Sequence, residues 1–176
     1  MQKKWSYLLI VIIFIILLVF ANDLVMLLSR NHFGRVIEIP QKSMQETESD
    51  LLYKVENATS NQDIYRTVEV RGWAFTPNQG NEVENEFKLL LISDDKSYQI
   101  DGVVVERIDL KNLFRENDVV GIQHGFISTF TPLKIRDGNY QLWLYYRQDN
   151  NEFYVESEII MEKAGKDLLI VDLPEN

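Results

Sequence analysis

The stretch from Leu8 to Phe20 contains no charged residue and follows a short basic tail, Lys3-Lys4. Such a run constrains where the rest of the chain can work before any chemistry is considered. Trp5 to Phe20 is 16 residues, about 24 Å as a helix and short for a hydrocarbon core of about 30 Å. Asn22-Asp23 interrupts the run and Leu24 to Leu28 resumes it. Read as one helix, Trp5 to Leu28 is 24 residues, about 36 Å, enough to span with some tilt. Asp23 then lies near the far headgroups, where a carboxylate costs little compared with the bilayer centre. Trp5 and Tyr7 suit the near interface.

Two fates are open to this segment. Val19-Phe20-Ala21 offers residues that a signal peptidase could read. The sequence beyond Ala21 is again apolar, with no Gly or Pro to break a helix, which favours an uncleaved signal anchor. The expected organisation is a cytoplasmic tail over 1–4, a transmembrane anchor over 5–28, a juxtamembrane stem over 29–62 and an extracytoplasmic domain over 63–176. The basic residues on the two sides nearly balance, Lys3 and Lys4 against Arg30 and Arg35. Orientation therefore rests on composition: acidic, rich in strand formers and without cysteine. The stem reading rests on the polar run Gln41 to Asp50 and on Asn57 to Gln62, with an early strand or helical turn near Leu51-Leu52-Tyr53. Pro40 argues against a helix continuing from the membrane.

Beyond residue 30 the chain carries 15 basic and 26 acidic residues, a net charge of −11. That balance opposes binding nucleic acid or anionic lipid through a general basic field. Neutral ligands, cations and proteins remain as partners. The absence of cysteine removes disulfides, thiolate metal sites and cysteine nucleophiles.

From Tyr65 onward, short apolar or alternating runs are separated by turn residues. Val68-Glu69-Val70 alternates, and Gly72 marks a bulge or a close backbone approach. Trp73 and Phe75 then take over as apolar positions and are expected in the core. Phe87 to Ile92 is apolar except for Lys88, as in a strand largely covered on both faces. Asp109 is placed to cap one helical turn over Leu110 to Phe114. Tyr140 to Arg147 alternates, with Tyr140, Leu142, Leu144 and Tyr146 on one face and Gln141, Trp143, Tyr145 and Arg147 on the other. This pattern predicts an all-β, Ig-like antiparallel β-sandwich preceded by one N-terminal transmembrane helix. Asp137-Gly138-Asn139-Tyr140 has the form of a tyrosine corner, with Leu142 where antibody domains hold a cysteine.

Catalytic patterns are scarce. The two histidines, His32 and His124, have no second histidine at ligand spacing, and no nucleophile elbow, phosphate loop or zinc-protease motif occurs. No metal and no cofactor is expected. A hydrolase built from two carboxylates brought together by folding stays formally open. Two sets of residues are candidates for ligand binding. Trp143 and Tyr145, with Arg147 beside them, form an aromatic platform for a sugar ring if their face is open. Arg107 and Asp109, two apart, form either a ligand contact or a hydrogen-bonded pair that fastens a loop. Asn22 and Asp23 are candidates for contact with a partner helix in the membrane.

Arg71-Gly72-Trp73-Ala74-Phe75, Arg107-Ile108-Asp109-Leu110, Gly125-Phe126 and Gly138-Asn139-Tyr140 follow one another along residues 65–160. This series resembles a group of bacterial membrane-anchored β-sandwich domains with a "GWAF…RxD(L/V)…GF…GxY" pattern, which accompany cell-surface polysaccharide and teichoic-acid-type biosynthesis. The resemblance implies an accessory or glycan-binding role in cell-envelope glycopolymer assembly and carries no catalytic residue. The expected protein is a non-enzymatic, single-pass protein of the cell membrane. Its partners would be the bilayer and either a glycopolymer or a membrane-embedded biosynthetic enzyme. The alternative is a structural subunit docking on a larger membrane enzyme or transporter.

Overall fold

In a computed structural model the described residues are 12–13, 34–40, 51–62, 66–77, 85–114, 124–148 and 151–172. The chain separates into two compact units, 1–32 and 33–176. Of the first, only Ile12 and Ile13 are described, both helical and exposed. The expected span 5–28, with Asn22 and Asp23, otherwise lies outside the described residues. Among the described residues, no helix is long and apolar enough to cross a membrane.

The described residues of the second unit form ten strands in two antiparallel sheets. The strands are β1 (Val36–Ile39), β2 (Leu52–Asn61), β3 (Thr67–Phe75), β4 (Asn85–Ile92), β5 (Ser97–Asp101), β6 (Val103–Val105), β7 (Gly125–Phe130), β8 (Gly138–Gln148), β9 (Asn151–Ala164) and β10 (Asp167–Asp172). A six-stranded sheet has the order β1-β5-β4-β8-β9-β10, and a four-stranded sheet the order β2-β3-β7-β6. One short helix, α1 (Ile108–Leu113), and a 3-10 turn over Pro132–Lys134 complete the described elements.

The main core is the alternating apolar set of both sheets. Val68 and Val70 of β3 and Phe126 and Phe130 of β7 meet Leu89 and Leu91 of β4 and Leu142 and Leu144 of β8. Phe87 stacks on Phe126 across the sheets at 3.7 Å between ring centroids. All of Leu89, Leu90 and Leu91 are buried, so β4 is covered on both faces there, as the apolar run Leu89 to Ile92 predicts.

Three expectations are altered. Residues 29–62, read as a stem, include β1, paired with β5, and β2, paired with β3. Their polar residues point outward from edge strands, so a sequence half made of solvent-facing positions resembles a linker. Ala58 and Leu51 face inward and are buried. Trp73 and Phe75 leave the main core. They form a second cluster with Leu110 on the outer face of the four-stranded sheet, with Leu52 and Phe114 packed against it. Trp73, Phe75 and Phe114 meet at centroid separations of 5.1–5.7 Å. The change of phase at Gly72 is thus a change of covered face. The irregularity lies in β2, between Val55 and Asn57, while β3 pairs regularly with β7. Gly72 is needed because a Cβ there would stand 2.2 Å from the Lys54 carbonyl oxygen and 2.6 Å from the Phe126 ring. Finally, Arg107 is the residue before α1, and Asp109 lies inside its first turn rather than capping it.

The end of β8 nearest the 3-10 turn is fastened as the sequence predicts. The Tyr140 hydroxyl donates to the Arg136 carbonyl at 2.8 Å. The Arg136 amide donates in turn to the Tyr98 hydroxyl at 3.2 Å. Both tyrosines are fully buried, with rings edge to face at 5.8 Å.

Candidate functional site

The residues singled out by sequence fall on two separate faces. Arg107 and Asp109 lie on the outer side of the four-stranded sheet. Trp143, Tyr145 and Arg147 lie on the outer side of the six-stranded one.

Arg107 follows β6 and precedes α1. Its guanidinium grips Asp109 through Nε at 2.9 Å and Nη2 at 2.7 Å. The same group also holds Glu56 of β2 through Nη1 at 2.6 Å and Nη2 at 3.0 Å. Two carboxylates are therefore bound in fork geometry by one guanidinium, the strongest arrangement an arginine makes. Arg107 lies close over Gly125, where a Cβ would stand 2.5 Å from its Cγ. Hydrogen bonds to Asp109 and then Glu56 push the Arg107 pKa up. The Arg107 guanidinium holds the Asp109 carboxyl below its ordinary value. Glu56 had no sequence signal. It sits 51 residues from Arg107, at the irregularity in β2. This cluster ties the β6–α1 connection to β2, and four of the five guanidinium N–H donors are engaged within the chain.

The second face is a grid of cross-strand rows. Leu90, Trp143 and Glu156 stand side by side; so do Lys88, Tyr145 and Tyr154; so do Glu86, Arg147 and Glu152. Trp143 is half-buried, and Tyr145 is buried. The Lys88 ammonium lies over the Tyr145 ring at 5.2 Å, and Tyr154 packs against it at 5.2 Å. The Tyr145 hydroxyl donates to Glu152 at 3.1 Å, and the Tyr154 hydroxyl donates to the other oxygen of Glu152 at 3.4 Å. Glu86 pairs with Lys88 at 2.8 Å and with Arg147 at 2.7 Å. Burial, then the neighbouring Glu152, pushes the Tyr145 hydroxyl up to about 12. Burial and the same carboxylate push Tyr154 up as well. The three predicted residues are brought together, but Tyr145 offers little open ring and Arg147 is already engaged by a carboxylate. Of the three, Trp143 presents partly accessible aromatic surface, and Tyr154 on the same face is half-buried too.

Among the described residues, no group of three or more His, Cys, Asp or Glu side chains could hold a metal ion. No protein-family model, curated protein or solved structure matches the chain.

Proposed function

We propose that the chain is a non-enzymatic accessory subunit of the cell membrane, in which an outward Ig-like β-sandwich docks on a larger envelope-biosynthesis protein. The Ig-like assignment is supported by topology. The orders β2-β3-β7-β6 and β5-β4-β8-β9 are those of strands A-B-E-D and C′-C-F-G. Tyr140 opens the strand in the F position and bonds back to Arg136, as a tyrosine corner does. The N-terminal apolar run supports a single-pass anchor, and the acidic, cysteine-free, strand-rich composition supports placing the domain outside.

One observation carries the choice of docking over capture of a free glycan. Both arginines of the candidate ligand residues are committed to carboxylates of the same chain, Arg107 to Glu56 and Asp109, and Arg147 to Glu86. A ligand would have to compete with charge-assisted bonds already in place. The second reading, a glycan-binding module, is favoured by the partly accessible Trp143, on which a sugar ring could stack. The full-length protein in detergent, tested on a glycan array beside its Trp143→Ala variant, separates the two. Docking predicts no glycan signal that depends on Trp143. A signal lost in the variant would replace docking with glycan binding.

A further inference from the structure

The outer face of β9 and β10 differs from the grid around Tyr145. Ile160, Leu169 and Val171 are exposed. In the β9–β10 register Leu169 stands opposite Glu162, and residues directly opposite share a face. Alternation along β9 puts Glu158, Ile160 and Glu162 on that same face. Val171 lies at the irregularity between Ile170 and Asp172. The result is an aliphatic strip edged by carboxylates.

Unlike Glu86 and Glu152, these carboxylates are not spoken for. Among the described residues, Glu158 and Glu162 make no ion pair. The cations nearest in sequence are Lys163 and Lys166. Lys163 is buried, with its ammonium on the Gly165 carbonyl and 3.5 Å from Asp137. Lys166 sits in the turn between the two strands. Elsewhere in the domain Glu38 holds Lys96, Glu69 holds Arg71 and Glu56 holds Arg107, while Glu156, beside Trp143, makes no ion pair among the described residues. The strip therefore combines exposed aliphatic surface with uncompensated negative charge at its edge.

We infer that the outer face of β9–β10 is the docking surface for a cationic protein segment, one that presents aliphatic side chains between lysines or arginines. This inference rests on the docking reading above and names the partner's chemistry. Charge complementarity selects the occupant. A second copy of this chain would bring the same carboxylates against each other, and like charges across an interface are costly. An anionic lipid surface is repelled for the same reason. A cationic segment instead satisfies Glu158 and Glu162 while covering Ile160, Leu169 and Val171. An aliphatic centre with a charged rim is the usual anatomy of a protein interface.

The test uses full-length protein in detergent and three synthetic peptides, alternating Lys-Leu, Lys-Ser and Glu-Leu. Binding is followed by fluorescence anisotropy at low and high salt. The Lys-Leu peptide should bind tightest, and its binding should weaken as salt rises. The Glu158→Gln/Glu162→Gln variant should weaken it by about tenfold, the scale of a few lost charge contacts. Leu169→Ser/Val171→Ser should weaken Lys-Leu more than Lys-Ser. The Gln variant keeps side-chain shape, so it reports on charge even if the Ser variant folds poorly. Equal binding by wild type and the Gln variant overturns the inference, as does equal affinity for Glu-Leu. Self-association at sedimentation equilibrium that the Gln variant strengthens assigns the face to a second copy and also overturns it. None of these outcomes touches the glycan-array result, so failure of this face and failure of the docking reading are distinguishable.

Discussion

Arg107 runs over Gly125 so closely that the two positions are sterically coupled: a methyl group on residue 125 would meet Arg107 Cγ at 2.5 Å and Val105 Cγ2 at 2.8 Å. The arginine uses that clearance to bind Asp109 and Glu56 at once. Gly125→Ala should therefore destabilise by about 2 kcal/mol, the usual cost of overpacking. The urea midpoint measures it, and an unchanged midpoint would show that Arg107 can swing aside freely.

Removing the guanidinium acts on the same cluster from the other side. Arg107→Met keeps much of the stem but leaves two carboxylates without their partner. Glu56 and Asp109 are partly solvated, at 35% and 63% side-chain exposure, so a lowered urea midpoint is expected, by less than the loss of a buried pair would give. Arg107→Lys should recover little of it, since an ammonium cannot grip two carboxylates in fork geometry. Full recovery by lysine would mean that only charge matters. Asp109 titrates low in the folded chain because of Arg107. Its contribution is present above the ordinary carboxylate range and fades as pH falls through the lowered value, a dependence that Arg107→Met should reduce.

Tyr140→Phe should cost about 1 kcal/mol by deleting the bond to the Arg136 carbonyl. Chemical denaturation of the variant and wild type measures the difference. No shift in midpoint would remove the corner from the account of stability.

Alkaline pH probes buried tyrosines together. Burial, with Tyr98 close by, pushes the Tyr140 hydroxyl up to about 12, and burial beside Glu152 does the same for Tyr145. A free tyrosine titrates near about 10. The folded state thus favours the neutral form, so their contribution is complete below about pH 10 and is lost as pH rises towards about 12. Urea midpoints should be flat from neutral to mildly alkaline pH and then decline across that window. The double variant Tyr140→Phe/Tyr145→Phe should flatten the decline; an identical decline would assign it to other groups.

The domain boundary gives a fifth test. A fragment beginning at residue 63 lacks β1 and β2, which edge the two sheets. It should fail to unfold cooperatively, whereas a fragment beginning at residue 33 should do so. Cooperative urea unfolding of the shorter fragment would make both strands dispensable.

Much of the sheet architecture was legible in the sequence. Alternation along Tyr140 to Arg147 separates the two faces of β8, and the apolar run Leu89 to Ile92 of β4 marks a stretch covered on both sides. Asp137-Gly138-Asn139-Tyr140 encodes its hydrogen bond locally, over four residues. The candidate site was less legible. Alternation could show that Trp143, Tyr145 and Arg147 share a face, but not that Glu152, Lys88 and Glu86 would occupy two of the three.

Sequence alone therefore determined what depends on near neighbours: the apolar run near the N-terminus, the strand periodicity, the tyrosine corner and the absence of cysteine chemistry. Tertiary structure alone decided which polar strands belong to the domain, which face buries Trp73 and Phe75, and which carboxylate meets Arg107. Those outcomes depend on pairings across many residues, such as Glu56 with Arg107. Side-chain period tells which residues point the same way, while only the assembled sheets determine what stands opposite them.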